Sequence, residues 1–517
     1  MRKILVSLLL VSMLAVVLVS APVSAGETPS LTYWCVPNGD MIVTMASMNE
    51  TPFAKAWQEA VGVNITFQHP PVGQETEQFN LMIAGQTLPD IIEWNWVGSY
   101  PGGAAAAIDD QVIIPLTDII EGGQAPYLKA IYDELPDYAR MARMDDGTYY
   151  CFPFMRIEQI LSTFNGPVLR KDLLDEVDTA PPITIEDWHA VLTAFKEIGV
   201  ENPLSIQDGT LDGSPVFLSA FNTTRTFYLK DGKVVYGPVE PEYKEFLAMF
   251  SQWYAEGLLD PEWFTQDRKL IDSKVTSGAA GAYIGTPDSW IGTYMRLMTE
   301  ADPSVDMVGV PYPRMNASDP VPYTQQDFPV VLTTQHNAAI TTTCADVDAA
   351  IKVLDYFYGD EGRILANYGV EGESYTMVDG NPVFTEFIVN NPDGLTMKQA
   401  MAQYAFNGLG SNHGIQMKDP VWQQRLFPCQ NAAIEAWMTD ADFDWRIPPI
   451  TRTAEEGAEF SRINTDLDAY MKEMYVKFVT GEKPLDEFDS YVQTLESMNL
   501  ARAIELQEAA YARYMAR

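Results

Sequence analysis

The stretch Asn80–Trp96, NLMIAGQTLPDIIEWNW, constrains the fold more than any other part of the chain. Leu81, Met82, Ile83 and Ala84 close an apolar helix, and Gly85 is placed to stop it, because glycine tolerates the left-handed backbone that ends helices. Pro89 introduces a short buried strand, Asp90–Ile92, after which polar Glu93 and Asn95 alternate with two indoles, Trp94 and Trp96. A helix that turns directly into a buried strand belongs to an α/β layer, and in an open sheet of that kind ligands sit just past the carboxyl ends of the strands. Two indoles at such a place offer a flat apolar surface with N–H donors, of the kind on which sugar rings stack. The competing reading puts both rings in the core.

The flanking segments extend the same layer. Thr28–Trp34 reads as a first strand; Phe53, Trp57 and Val61 stand at helical spacing; Val63, Ile65 and Phe67 alternate. The result is strand, helix, strand, helix, strand, a parallel layout. Tyr149–Phe154 is extended and aromatic, with Pro153 favouring an extended backbone before it, and reads as a crossing between two lobes. Thr184 and Asp187 form a helix start, followed by the stripe Trp188, Val191, Leu192 and Phe195. Small residues at Ser277–Ala282 feed a buried strand, and Gly285–Trp290 (GTPDSW) lies just beyond its end. Val330–Leu332 and Ala338–Ile340 flank a turn at Gln335–Asn337, where the chain returns to the first lobe, and the last 70 or so residues are helical.

Charge and targeting narrow the function. Of 517 residues 47% are hydrophobic, enough for two or three domains with sizeable cores, and the net charge of −38 sets the chain against nucleic acid and anionic membrane surfaces. Arg2 and Lys3, the apolar run Ile4–Val19 and small residues at Val23 and Ala25 read as a secretory signal peptide over residues 1–25, cut after Ala25. No cysteine directly follows that run, so a free, exported, periplasmic or extracellular protein is expected rather than a lipid-anchored one. Cys35, Cys151, Cys344 and Cys429 match no metal pattern; as disulfides they allow three pairings, and free thiols are the other reading.

Familiar catalytic signatures are missing. The histidines, His69, His189, His336 and His413, form no HExxH, and there is no GxSxG elbow or Walker A loop. Gly408–Gly414 misses the dinucleotide spacing by one residue. Glu371 and Glu373 are the carboxylate pair that an acid/base mechanism would use, or else they bind ligand hydroxyls or their own loop.

Taken together, LMIAGQTLPDII, DGTYYCFPF, LRKDLLDEV…PPITIEDWHAVLTAFKE, YAEGLLDPEWFTQD, SGAAGAYIG, YGVEGESYTMVDG, the segment from TAEEGAEF to DEFDSYV and the closing AAYARY occur in an order that resembles the extracellular solute-binding proteins of bacterial ABC importers, family 1, and within it the large LipO-like, oligosaccharide-associated branch. The resemblance implies a two-lobed, periplasmic-binding-protein-like α/β fold of type II, with a ligand cleft between the lobes. It implies lobe 1 at 26–152 and 329–375, lobe 2 at 153–328 and 376–517, hinge closure on an oligosaccharide, and delivery to membrane permease subunits by a monomer. Many relatives insert a calcium loop where Phe195–Leu204 runs straight through with too few oxygen ligands, so no metal is expected there, and no motif calls for a cofactor.

Sugars present apolar faces and hydroxyl rims, which aromatic rings and polar side chains respectively hold. The candidates by position are Trp34, Trp94 and Trp96 after lobe-1 strands, Arg156 and Glu158 after the first crossing, Asp288 and Trp290 after the small-residue strand, Glu371 and Glu373 after the return, and Trp445 among the C-terminal rings, where Trp422 and Trp437 cannot be placed. Arg156 is suited to pair a uronic acid carboxylate. A secreted carbohydrate-active hydrolase or lyase, and a peptide or small-metabolite binder on the same fold, are the alternatives.

Overall fold

The computed structural model describes residues 28–207, 209, 214–320, 328–332, 336–406, 412–441 and 444–517. The expected leader, residues 1–25, lies outside them, as does Gln335 of the expected return turn.

Two sheets carry two separate cores. The first has the strand order Asn337–Ile340, Ile91–Trp94, Ser30–Trp34, Asn64–Gln68. Ser30–Trp34 runs parallel to both neighbours, and the returning Asn337–Ile340 is antiparallel. Asn64–Gln68 is the edge strand and alternates accordingly, burying Ile65 and Phe67. The helix Pro52–Val61 is written into its sequence: Thr51 caps it by accepting from the Ala54 amide, Pro52 fits the first turn, and Gly62 ends it at φ 63°. Its Phe53, Trp57 and Val61 pack onto the sheet.

The key stretch departs from its reading in two details. The helix Glu75–Ala84 ends where expected, but Gly85 is right-handed at φ −81° and Gln86 takes the left-handed turn at φ 51°. The strand is Ile91–Trp94, two residues longer than expected at its end, because Glu93 and Trp94 pair with Ala338 and Asn337 of the returning strand.

The second sheet has the order Met307–Gly309, Gly166–Arg170, Ala280–Gly285, Asn202–Leu204. The expected helix start is present: Thr184 Oγ1 accepts from the Asp187 amide at 3.1 Å and the Asp187 carboxylate accepts from the Thr184 amide at 2.9 Å. Glycines let the helix Pro428–Trp437 lie close on this sheet. A Cβ on Gly166 would fall 2.5 Å from the Trp437 ring and one on Gly309 2.3 Å from the Ala433 Cβ. The helix Ala454–Thr480 joins the same core through Leu467, Met471 and Phe478. Asp260 is fully buried here and is held by Ser205 Oγ at 2.6 Å and by Lys274 Nζ at 2.9 and 2.8 Å. All four cysteines are free thiols.

Three short strands join the two cores. Phe154–Met155 is flanked by Val330–Val331, antiparallel, and by Gly414–Ile415, parallel. A third, small core (Tyr368, Tyr375, Phe384, Ile388, Met401 and Tyr404) lies between the second and third of these segments in sequence, around the hairpin Tyr375–Val378/Asn381–Phe384. Asp379 and Gly380 make its turn, both at positive φ. A further link comes from the helix Leu500–Met515, which packs on the second core through Leu500 and Ala503. Beyond them Arg513 Nε reaches Asp145 Oδ2 at 3.0 Å, and Arg517 Nη2 reaches Asp145 Oδ1 at 2.6 Å.

Two outcomes test this packing. Lys274→Met leaves the Asp260 carboxylate buried without its cation and is expected to cost ~3–5 kcal/mol, read as a fall in the urea midpoint; the double variant Asp260→Asn/Lys274→Met recovers part of the loss. Burial works against the charge of Asp145, but bonds from Thr451, Arg517 and Arg513 outweigh it and hold the carboxyl below its usual value. A carboxyl with a lowered native pKa stabilises at pH above its unfolded value and loses that contribution as pH falls. The stability gap between wild type and Asp145→Asn should therefore be full at pH 6 and shrink as denaturation is followed below about pH 4.

Candidate functional site

A cavity of about 420 Å³ opens beside the three-stranded crossing. Its floor holds Arg156 and Gln416, each the residue that follows a crossing strand. The Arg156 amide donates to the Pro329 carbonyl at 2.8 Å and the Gln416 amide to the Met155 carbonyl at 2.9 Å, so both side chains leave the sheet at the same level. Arg156 Nε then donates to Gln416 Oε1 at 3.2 Å. One wall comes from Leu161, Thr163 and Phe164, with Phe164 36% exposed. Trp422 and Arg425 line it as well, and Lys398 comes from the helix Met397–Met401 of the small third core.

The remaining wall is Thr286–Ser289 with Thr293. This turn, Pro287–Gly292, is wound as a π-helix, a geometry that recurs at functional sites. It is pinned from several sides: Gln430 Nε2 donates to the Pro287 carbonyl at 2.9 Å, Arg268 Nη2 donates to the Ser289 carbonyl at 2.5 Å, and Arg425 grips Asp288 with two bonds of 3.0 and 3.2 Å. Arg425 also lies 4.7 Å over the Trp422 ring. The cavity thus combines half-buried rings with fixed hydroxyl, amide and charged groups, the mixture that holds a polar ligand with apolar faces. A larger depression of about 650 Å³ follows the outer face of Glu75–Ala84, but one helix and its preceding turn form its whole lining, so nothing opposes a ligand there.

Of the residues singled out from sequence, Arg156 and Asp288 meet in this cavity. The four indoles at strand ends are packed inward instead. Trp96 is fully buried against Phe79 and Tyr100. Trp34 meets Trp94 edge-on at 5.5 Å, and Trp94 stacks on His336 at 5.0 Å, where burial pushes the imidazole below its usual pKa. Trp290 has Arg268 over one side at 3.9 Å and stacks on Tyr283 at 5.8 Å. The expectation of an exposed indole pair at Trp94 and Trp96 is corrected accordingly: the longer strand draws Trp94 into the sheet, and Asn95 caps a short helix whose first residue, Trp96, points inward.

The acidic candidates lie elsewhere. Glu158 is exposed and accepts from the Lys418 amide at 2.9 Å. Glu371 and Glu373 are exposed in the turn that leads to the hairpin, where the Glu371 backbone pairs with Tyr375, and neither borders the cavity. Trp445 is half-buried, and its carbonyl accepts from the Leu229 amide at 2.7 Å, tying it to the edge of the hairpin Phe227–Lys230/Lys233–Tyr236.

Sequence reasoning named Trp422 without placing it and overlooked Gln416, Arg425, Lys398 and Phe164, three of them C-terminal to the return segment. The readable signal was His413-Gly414-Ile415-Gln416, a short extended run with Gly414 at φ 102° that forms the third crossing.

Two α/β cores joined by paired crossing strands, with a cavity beside the crossing, define the class of two-lobed solute-binding proteins. The chain belongs to the bacterial extracellular solute-binding protein family, whose model matches residues 46–364. It is similar to lipoprotein LipO of Bacillus subtilis (strain 168), 25% identical over 418 residues that cover 73% of this chain and 74% of that one. The fructooligosaccharide ABC transporter substrate-binding protein FusA of Streptococcus pneumoniae serotype 4 is 29% identical over 258 residues, 46% of each chain. Among solved structures, an HMO binding, ABC-transporter associated solute-binding protein from Bifidobacterium longum infantis aligns with a TM-score of 0.73 and 18% identity, over 94% of this chain and 99% of that one.

The burial pattern separates structural from accessible indoles. Trp96→Ala should cost ~3–5 kcal/mol through the cavity it leaves and lower the melting temperature strongly. Trp422→Ala should leave the melting temperature nearly unchanged, since its ring is half-exposed at the cavity wall. Thermal denaturation of both variants checks the contrast.

Proposed function

We propose that this protein is the extracytoplasmic binding component of an ABC importer, capturing an oligosaccharide in the cavity beside the crossing sheet and delivering it intact to the permease. The observation that carries the reading is the cavity itself. It is built on the strands that join the two cores, and it places Phe164 and Trp422 beside fixed polar groups. The family and the sugar-binding relatives support it. Closure about the crossing strands would bring the walls together on the ligand, for which the bound state needs to be favoured by only a few kcal/mol.

The proposal extends to the lobes and to the route outward. Lobe 1 comprises 26–152 and 329–375 with residues 402–406 and 412–415 added, since Ala402, Phe406 and Ile415 pack in the first core; lobe 2 comprises 153–328 and the rest of the C-terminal part. A leader over residues 1–25 is removed on export, and the mature protein works as an unanchored monomer without a role on nucleic acid. Among the described residues no helix is long and apolar enough to cross a membrane.

A thermal-shift screen of the mature protein against neutral and acidic oligosaccharides tests the reading, because a ligand bound only by the folded state raises the melting temperature. The expected result is a shift of several degrees with the sugar recovered unchanged. Recovery of cleaved sugar would replace transport by catalysis, and a shift with peptides alone would replace the ligand class.

A further inference from the structure

Gln416 is a cavity residue with a fixed orientation. The residue is 8% exposed, and its side-chain oxygen is committed to Arg156 Nε at 3.2 Å. A guanidinium has no acceptor, so the amide cannot flip without facing donor to donor. The amide nitrogen is therefore held on the other edge, where Nε2 has no partner among the described residues, in a side chain that borders the cavity. Lys398 lines the same cavity, and its Nζ has no carboxylate in ion-pairing range among the described residues. This edge of the site offers donors.

On the Thr286–Ser289 wall the acceptors each already take a protein donor, and the free donors lie at the Gln416 edge. Both Asp288 oxygens take Arg425, and the hydroxyls of Thr286 and Ser289 lie 2.8 Å apart, bonded to one another. A sugar hydroxyl at this edge would meet donors and use only its oxygen there. A carboxylate accepts only, and it exploits such an edge fully.

We infer that Gln416 Nε2, together with Lys398 Nζ, receives the carboxylate of an acidic sugar unit, with Arg156 acting through Gln416 as a positioning residue. The inference rests on the transport reading above and names its substrate class. Because Gln416 directly follows the crossing strand Gly414–Ile415, ligand held by its amide is tied to the joint between the lobes.

The test is Gln416→Glu. Glutamate keeps an oxygen for Arg156, so the fold is retained, but it removes the donor and sets a negative charge against the ligand. The probes are a galacturonic acid trimer and neutral xylotriose, titrated calorimetrically into wild type, Gln416→Glu and Lys398→Ala, the last at an exposed position that leaves folding untouched. Wild type should bind the acid trimer about tenfold or more tighter than the neutral one. Gln416→Glu should weaken the acid about a hundredfold and Lys398→Ala about tenfold, with unchanged melting temperatures. Equal affinity of Gln416→Glu and wild type for the acid overturns the role of Gln416, and tighter binding of xylotriose by wild type overturns the carboxylate. Binding of neither trimer overturns the inference as a whole; if another neutral sugar still shifts the melting temperature, the transport reading stands without it.

Discussion

The architecture depends on how three very short strands are held side by side. Two-residue strands have little pairing of their own, and buried side chains complete it. Asn337, fully buried, accepts from the Phe154 amide at 3.1 Å through Oδ1 and donates to the Leu332 carbonyl at 3.4 Å. Asn367 donates to the Ile415 carbonyl at 2.7 Å and accepts from the Met417 amide at 3.0 Å. Glu93, at the end of the first sheet, accepts from Tyr33 Oη at 2.9 Å and from the His413 amide at 2.5 Å. Except for the Tyr33 bond, each satisfies a backbone group that would otherwise be buried at a cost of about 1–3 kcal/mol. Together they fix where Arg156 and Gln416 emerge, and thus the floor of the cavity.

The elements that were legible carry local signals. Alternation in Val63–Phe67, the helical spacing of Phe53, Trp57 and Val61, and the cap at Thr184 each depend on a few neighbouring residues, and each is found as read. The site was legible only in part because it is assembled from distant segments. Arg156 and Asp288 stood out as polar residues just past a crossing and a strand end. Gln416 and Trp422 follow a two-residue strand that exists only because Phe154–Met155 is beside it. The indoles failed as a guide for a related reason: whether Trp94 faces ligand or core is decided by Asn337, more than 200 residues away in sequence.

Charge shows the same separation of local from global. A chain with a net charge of −38 nonetheless gathers Arg156, Lys398 and Arg425 at one cavity. Arg425 is spent on the wall, where it fixes Asp288 and covers Trp422, so the average charge describes solubility and long-range repulsion while the site is set by a handful of placed groups.

The returning strand Asn337–Ile340 and the contact of Glu93 with His413 mean that the first core is closed by residues far downstream of those that begin it. During synthesis the parallel strands near the N-terminus therefore wait, unsealed, for a partner that arrives late. Loop closure over such spans is slow, and strands without a finished edge stay pliable. A chain threaded N-terminus first through a narrow channel would thus pass its opening segments through as open polymer, with the lobes assembling only once the crossing segments have followed.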